Sequence, residues 1–332
     1  MFFPTKTLLV LAAAFAVAHA EDPGSAERGF GGFRTPTTTA PAPTSAPTQS
    51  PVATPDSSPT VDDTSNVKGD PHFQTFGEEK FDYHGECDLV LLKNPLFKNM
   101  GMEVHIRTKI TDWWSAVEAA AIKLGEEVLE VNAGNVDQWL WINGKPNEEL
   151  EDSKYYSAWI NGMQIRYQRK GVNREVNIYL EGRPERLQIR VYKDFVRVDV
   201  DHKVNPEHYK GAIGLLGSFD LNGKRVGRDG QTKVADHNEF GQEWQVRDED
   251  PKLFHSYEGA VVAPNKCKLP ELTREDVEGE LLAKSMLRKR RLNGGLSKDA
   301  IERACAHVPE GEREDCIYDV TATQDVGMAS VF

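Results

Sequence analysis

The stretch VNIYLEGRPERLQIRVYKDFVRVDV, residues 176–200, decides the fold of this chain. Apolar residues recur in it at every second position, in three runs that begin at Val176, Leu187 and Val196. A period of two places one face of a strand against a core and the other face in water. The stretch therefore predicts three β-strands, each with one buried and one solvated face.

The same alternation occurs earlier in the chain. Apolar Val104, Ile106 and Ile110 are interleaved with polar side chains, namely Glu103, His105 and Arg107. Asn-Gly pairs at 143–144, 161–162 and 222–223 supply the positive-φ residues of turns that join antiparallel neighbours. No strand–helix–strand rhythm appears, which argues against a doubly wound nucleotide-binding sheet. The predicted fold class is mainly β, an antiparallel β-sandwich.

Two segments that precede the β region are not expected to fold. A short apolar run follows Lys6 and ends in small residues up to Ala20, which is typical of a secretory signal peptide over residues 1–20. Residues 21–66 are rich in Thr, Pro and Ser and predict a disordered stalk, because frequent prolines favour extended backbone. Such a stalk carries O-linked sugars in exported proteins or is a plain linker. We therefore expect a secreted protein, outside the cell, on its surface or in the matrix.

Composition excludes several functional classes. With 39% hydrophobic residues in 332, the chain can bury a core, which argues against a wholly disordered protein. A net charge of -12 without a basic face argues against a nucleic-acid partner. No segment after the leader has the roughly 18 uncharged residues of a membrane span. The sequence has no H-E-x-x-H, G-x-S-x-G or Walker motif, so no conventional enzyme is expected.

The C-terminal residues 268–332 are predicted to form a short α-helical tail. A first helix is expected to begin after Thr273 and to end at the basic residues 288–291, which suits the helix dipole. Ser297 is expected to cap a second helix, and residues 312–320 a third. The tail thus differs in periodicity from the β region before it.

A motif at the start of the β region resembles a known family. It reads GDPHFQTF at residues 69–76, followed by KFDYHGEC at residues 80–87. This resembles the opening of a von Willebrand factor type D domain. The family's C-G-L-C-G is matched in outline, without its cysteines, at residues 213–217, and its Trp-x-Val before a Cys is matched at Trp244. The resemblance covers residues 67–267 and implies a sandwich of that family.

The resemblance also implies how the four cysteines pair. Export places them in an oxidising compartment, where an even number suggests two bridges. Family cysteines that are absent here are missing in matched pairs. Those that remain imply the disulfides Cys87–Cys267 and Cys305–Cys316. Since these pairs use every cysteine, a disulfide-linked polymer is not expected.

A weakened Ca²⁺ site is a second implication of the resemblance. The Asp that family members use as the first ligand is replaced by Gly77. The remaining candidate ligands are Glu78, Asp220, Asn222 and Asp229, whose oxygens suit a hard cation. The alternative is a solvated turn rich in Asn, Asp and Gly. No other cofactor is expected.

The Asp70–Pro71 bond is the one place where chemistry is expected. Some type D domains with this motif cleave themselves between Asp and Pro. The Asp70 carboxylate would attack its own carbonyl carbon, and the proline nitrogen leaves more readily once it is protonated. His72 is the candidate proton donor, so mildly acidic conditions should help. Alternatively, the motif only shapes the entry into the first strand.

A second candidate processing site ends at Arg291. The sequence Arg-Lys-Arg-Arg at residues 288–291 fits a secretory proprotein convertase, or alternatively is a solvated basic helix end. The predicted function is a secreted, non-enzymatic adhesion or matrix protein that binds extracellular proteins or glycans. The alternatives are a precursor that cleaves itself at Asp70–Pro71 and a Ca²⁺-regulated binding module.

Overall fold

The structure of the protein is a computed structural model, and part of the chain lies outside what it describes. The described residues are 64–111, 114–134, 137–147, 151–181, 185–255, 264, 266–271 and 295–332. The predicted signal peptide with Ala20, the stalk up to residue 63, the first tail helix and Arg291 lie outside them.

Two antiparallel β-sheets make up most of the described chain. Their strands are β1 Ser65–Lys68, β2 His72–Gln74, β3 Lys80–Asp82, β4 Asp88–Asn94, β5 Met102–Ile110, β6 Ser115–Leu124, β7 Glu127–Asn132, β8 Leu140–Ile142, β9 Lys145–Pro146, β10 Tyr155–Ile160, β11 Met163–Lys170, β12 Asn173–Tyr179, β13 Arg186–Tyr192 and β14 Phe195–Val200. The eight-stranded sheet has the order β10-β11-β12-β13-β14-β1-β2-β3, and the six-stranded sheet has the order β4 to β9.

The predicted antiparallel sandwich is confirmed. Val176, Ile189 and Val198 of the eight-stranded sheet are fully buried in one core with Val104 and Ile122 of the six-stranded sheet. The two-residue period places these side chains on the inner faces. The core lies between the two sheets, as the alternation in residues 176–200 predicts.

The prediction that the opposite faces lie in water is wrong at two strands. Arg197 in β14 is 1% exposed, because the C-terminal tail lies over that face. His105 in β5 is also buried. On the six-stranded sheet, the ring of Phe254 packs on the Arg107 guanidinium, so the segment that contains it shields this outer face. The position of a polar residue in an alternating strand therefore indicates which face of the sheet is the outer one. It does not indicate whether that face is exposed to solvent.

Two of the three Asn-Gly pairs form the expected hairpin turns. Asn143 and Asn161 have positive φ and connect β8 to β9 and β10 to β11. Asn222 and Gly223 also have positive φ, but they join no two of the named strands. They close a tight loop that makes a single bridge between Ser218 and Lys224.

The β region begins earlier than expected. Ser65 and Asn66, which are placed in the stalk by the sequence pattern, are fully buried residues of β1. This strand pairs with β14 on one side and β2 on the other. The segment that joins the stalk to the sandwich is therefore an interior strand of the eight-stranded sheet.

The described part of the tail contains the second and third of the three helices that its sequence predicts. They are α2 Lys298–Ala304 and α3 Glu310–Thr323, which follow α1 His237–Glu243 of the β region. The Ser297 hydroxyl accepts a hydrogen bond from the N–H of Ala300 and caps α2. A 3-10 helix, Val326–Val331, ends the chain. None of the helices among the described residues has the length and apolar character needed to cross a membrane.

The tail packs on the eight-stranded sheet through both apolar and charged contacts. Tyr192 of β13 lies in one buried cluster with Val320 and Met328 of the tail. Beside this cluster, the Glu312 carboxylate accepts a hydrogen bond of 2.7 Å from the Arg197 guanidinium. The Lys68 ammonium of β1 lies 3.2 Å from the same carboxylate. All three charged groups are buried, so the tail and the sheet share one ion network.

Candidate functional site

The GDPH motif forms the tight connection between β1 and β2. Gly69 has a φ of +55°, and a Cβ at this position would collide with the carboxylate of Asp319. Both the backbone conformation and the close approach therefore require glycine. The carbonyl oxygen of Gly69 accepts a hydrogen bond from the N–H of Val117, and that of Pro71 accepts one from Tyr83. The Asp70–Pro71 bond is thus held in place from both sides.

The carboxyl group that would attack this bond is enclosed. Asp70 is 2% exposed. Its Oδ1 lies 2.9 Å from Nδ1 of His84, which follows β3. The carboxyl group of Asp70 therefore packs against an imidazole and is shielded from solvent. Sequence analysis did not identify His84 as part of the site, although it lies within the quoted family motif.

His72 is placed between two carboxylates. Its Nδ1 lies 2.8 Å from Oδ1 of Asp82 in β3, and its Nε2 lies 3.4 Å from Oδ1 of Asp319 in α3. The edge of the Tyr318 ring packs against the imidazole. Two carboxylate neighbours match the charged imidazolium, in which both ring nitrogens are donors. The geometry therefore favours a proton on each nitrogen of His72.

Asp319 is the residue of this site that sequence analysis missed. It is 2% exposed, and its carboxylate accepts a hydrogen bond from the backbone N–H of Asp70. The residue lies at the end of a Cys-Ile-Tyr-Asp sequence in the tail, far from the GDPH motif in the chain. No local pattern connects the two, because only the docking of α3 brings them together.

Burial and charge shift the pKa values of this site in a common direction. Burial, together with the nearby charge of Asp70, raises the pKa of Asp319 to about 6, although the His72 hydrogen bond lowers it. Burial alone would lower the pKa of His72, but the hydrogen bonds to Asp319 and Asp82 outweigh it and raise this pKa well above 6.5. In mildly acidic solution, both groups therefore carry a proton next to the Asp70–Pro71 bond.

Solvent reaches the edge of this site through a surface cleft. The cleft is lined by His72 and Asp82 on the sheet and by Asp315 on α3. Lys80 crosses it, with its ammonium 3.2 Å from Asp315 and bonded to the carbonyl oxygen of Gly311. Water can therefore approach His72, while Asp70 and Asp319 stay enclosed.

The fold and the GDPH turn agree with a comparison against protein families. The family model of the von Willebrand factor type D domain matches residues 65–224. The chain contains a von Willebrand factor type D (VWD) domain. A search of curated proteins found no match. VWD domains are non-enzymatic modules of extracellular proteins, in which they commonly mediate interactions.

The chain beyond the matched residues continues the same core. Trp244 is buried, and its indole N–H donates to the carbonyl oxygen of Val226. The backbone N–H of Val90 in β4 donates to the carbonyl oxygen of Trp244. These contacts join the chain after residue 224 to the core of the sandwich.

Both predicted disulfides are confirmed. Cys87 at the start of β4 is bonded to Cys267, with 4.7 Å between the Cα atoms. Cys305, directly after α2, is bonded to Cys316 in α3, with 5.9 Å between the Cα atoms. The first bridge joins the segment around Cys267 to the start of β4, and the second holds the two tail helices together.

Three of the four candidate Ca²⁺ ligands have other partners in this structure. Lys203 lies 2.9 Å from the Glu78 carboxylate. Asp220 accepts a hydrogen bond from the N–H of Gly211, and Asp229 accepts bonds from the N–H groups of the turn that follows it. Asn222 lines a surface pocket with Glu78. Among the described residues, the clusters of three metal-ligand side chains include none of these carboxylates.

Gly77 explains why the family Asp does not fit here. A Cβ at residue 77 would collide with the carbonyl oxygen of Asn222. An aspartate at this position would therefore need the 222–223 loop to move. The Asn, Asp and Gly residues of this loop act mainly in the turn itself, in line with the alternative of a solvated turn.

A cluster of side chains of the types that bind metals, namely Glu181, Glu185 and His208, lies near the other end of the eight-stranded sheet. Nδ1 of His208 lies 2.9 Å from Glu185, and Nε2 lies 3.0 Å from Glu181. Asn205 donates to the same Glu181 carboxylate. Both imidazole nitrogens thus have carboxylate partners. The cluster is therefore explained as a structural contact between the loop that contains His208 and the sheet.

The outer face of the eight-stranded sheet is open where the tail does not cover it. At the edge strand β10, the side chains of Tyr155 and Trp159 are 57% and 65% exposed. The guanidinium of Arg166 on β11 lies over the Tyr155 ring, 5.2 Å from its centroid. The open part of this face thus presents two aromatic rings and a cation. We call Tyr155, Trp159 and Arg166 the aromatic face.

Proposed function

We propose that the protein is a secreted, non-enzymatic adhesion or matrix protein whose VWD domain binds an extracellular protein or glycan through the aromatic face. The observation that carries the proposal is the exposure of Tyr155 and Trp159 on one strand. Large aromatic side chains are enriched where binding energy concentrates, because they bury much area with few rotatable bonds. The predicted leader and stalk would present this face outside the cell.

The types of side chain on the aromatic face also favour it as the binding surface. A free edge strand invites uncontrolled pairing, and proteins usually protect such strands with charged residues or proline. β10 instead carries exposed aromatic side chains, with Arg166 beside them. An aromatic and cationic surface suits planar or hydroxylated partners, such as glycans and protein side chains that stack on rings.

The test is a binding assay with the secreted protein. The wild-type protein is applied to a glycan array and to a panel of immobilised matrix proteins. The double variant Tyr155→Ala, Trp159→Ala should bind the positive ligands at least about tenfold more weakly, since lost aromatic anchors typically cost 1.4 kcal/mol or more. Leu96→Ala is the matched control, because Leu96 is 67% exposed and lies between β4 and β5 of the other sheet. Equal binding by the double variant and the wild type would refute the proposal.

We also propose self-cleavage at Asp70–Pro71 as a second activity. The observation that favours it is the arrangement of Asp70 between His84 and the proton-bearing pair His72 and Asp319. A nucleophilic carboxylate, a proton donor and a proline leaving group are the three parts that the reaction needs. The reaction occurs once per chain, so the protein remains non-enzymatic toward other molecules.

Incubation of the purified protein tests this second proposal. Samples are held between pH 5 and pH 8 and then separated on denaturing gels. A new fragment with an N-terminal Pro71 should accumulate faster at pH 5.5 than at pH 8. Asp70→Asn, which removes the nucleophile, should stay intact. An uncut wild-type chain across this range, or a cut at another bond, would reject self-cleavage.

A further inference from the structure

The GDPH turn is completed by a residue from the far end of the chain. Asp319 of α3 contacts both sides of the bond, because it accepts a hydrogen bond from the N–H of Asp70 and lies 3.4 Å from Nε2 of His72. Gly69 leaves only enough space for this carboxylate. The VWD family match ends at residue 224, so Asp319 lies outside the matched residues.

The position of Asp319 is fixed by the docking of α3. One turn before it, Cys316 is bonded to Cys305. Two turns before it, Glu312 forms the buried ion pairs with Arg197 and Lys68. Val320, directly after it, belongs to the apolar cluster between tail and sheet. A carboxylate held by a disulfide, an ion network and a packed cluster is preorganised.

Cleavage of the bond has defined requirements. An ionised Oδ of Asp70 forms a bond to the carbonyl carbon of the same residue and closes a five-membered cyclic anhydride. The bond from that carbon to the Pro71 nitrogen breaks, and its electron pair goes to nitrogen, which takes the Nε2 proton of His72. Water then hydrolyses the anhydride, which leaves a C-terminal Asp70 with two free carboxyl groups. Without a proton at the right place, the nitrogen is a poor leaving group.

We propose, on the basis of the self-cleavage proposed above, that Asp319 is the positioning residue of this reaction and that the Asp70–Pro71 bond reacts only when the tail is docked. Asp319 orients Nε2 of His72 toward the turn. After Nε2 has given up its proton, the carboxyl group of Asp319 returns a proton to Nε2. It also holds the N–H of Asp70, which fixes the carbonyl carbon relative to the attacking carboxylate. The C-terminal tail is therefore part of the reactive site.

The charged groups around Asp319 set the pH dependence. Those in or near the turn and the first strands are Asp70, His72 in β2, Asp82 in β3 and His84 after β3. His237 in α1 lies near Asp82. Asp315 in α3 pairs with Lys68 and Lys80. A pKa of about 6 for Asp319 means that its carboxylate becomes protonated as the pH falls through this value. The rate should therefore rise between pH 7 and pH 5.

Three variants of the full secreted chain test the proposal. Asp319→Asn should slow cleavage at pH 5.5 by at least about tenfold and flatten the rise between pH 7 and pH 5. Asp319→Glu should restore part of the rate and the slope, because it returns a titratable carboxylate. Asp325→Asn is the matched control, since Asp325 also docks the tail, through Tyr192 and Lys193, but does not contact the turn. It should keep the wild-type pH profile.

A second measurement separates the two proposals. The His72 imidazole is followed by NMR titration in an Asp70→Asn background, where the chain stays intact. Its pKa should lie well above 6.5 and should fall when Asp319 is also replaced by Asn. If the wild-type chain is never cut, self-cleavage and the role of Asp319 in it both fail. If it is cut but Asp319→Asn leaves rate, pH profile and the pKa of His72 unchanged, only the role of Asp319 is overturned.

Discussion

Asp319 in the last helix and His72 in the second strand are 247 residues apart in the chain and meet with 3.4 Å between Oδ1 and Nε2. The contact joins the C-terminal tail to the GDPH turn of the VWD domain. Under the proposals made above, this contact makes cleavage of the turn dependent on the docking of the tail. The predictions below test this dependence through stability, covalent structure and fragment association.

Replacing His72 by Gln should lower the melting temperature more at pH 6 than at pH 9. Burial opposes the charged imidazole, but the hydrogen bonds to Asp319 and Asp82 outweigh it and raise the pKa of His72 well above 6.5. A raised folded-state pKa gives stability that is complete below 6.5 and is lost as the pH rises through the folded-state value. Thermal unfolding of both proteins at several pH values measures the difference. A difference that grows toward pH 9 would contradict the assigned contact.

Replacing Glu312 by Ala should lower the free energy of unfolding by about 3–5 kcal/mol, because Arg197 and Lys68 then lose a buried carboxylate. Urea denaturation at neutral pH is the measurement. Glu207→Ala is the control, since Glu207 pairs with Lys210 at the exposed surface, where an ion pair contributes roughly 0–1 kcal/mol. Similar losses for the two variants would mean that the buried network does not hold the tail.

Removing the tail disulfide by Cys305→Ala, Cys316→Ala should loosen α3 without unfolding the VWD domain. The bridge closes a short loop, with a sequence separation of 11 between its cysteines, for which chain entropy predicts about 2–3 kcal/mol. Hydrogen exchange should speed up in α3 and around the GDPH turn, but not in β5 and β6. The double variant that removes Cys87–Cys267 is the comparison, because that bridge has a sequence separation of 180 and joins the start of β4 without involving α3. Unchanged exchange at the turn would argue against coupling through α3.

A chain cut at Asp70–Pro71 should remain one particle under native conditions. β1 ends at Lys68, pairs with β14 and β2, and places Val67 in the main core, so the N-terminal fragment keeps its strand in the sheet. Neither disulfide crosses the cut. Gel filtration should therefore show co-elution of fragments that separate on a non-reducing denaturing gel.

Val67→Asp provides the contrasting variant for that experiment. A charge in place of a fully buried valine should weaken β1 in the sheet. After the cut, the N-terminal fragment of this variant should dissociate during gel filtration. Loss of the fragment from the cut wild-type protein would show that β1 alone does not retain the stalk.

Sequence reasoning was most successful where information is local. The period of two in residues 176–200 and the positive-φ turns at Asn143 and Asn161 depend on neighbouring residues, and the structure contains the corresponding strands and hairpins. The family resemblance implied both disulfides correctly. The serine cap of α2 is likewise a contact between residues three apart.

Sequence reasoning was least successful where two segments that are distant in the chain pack against each other. Arg197 was expected in water, yet Glu312 of the tail covers it. Asp319 was not expected in the GDPH site at all. A carboxylate in a helix has no local signature of its distant partner, because the pairing is decided by how α3 packs on the sheet.

By itself, the sequence determined a VWD-type antiparallel sandwich, its two bridges, and Asp70, Pro71 and His72 as the residues where chemistry is expected. Tertiary structure alone decided that β1 is an interior strand, that the tail buries Arg197, and that Asp319 completes the turn. The physical reason is that strand period and turn conformation follow from adjacent residues. The burial of charge follows instead from which surfaces meet, and those surfaces lie more than a hundred residues apart.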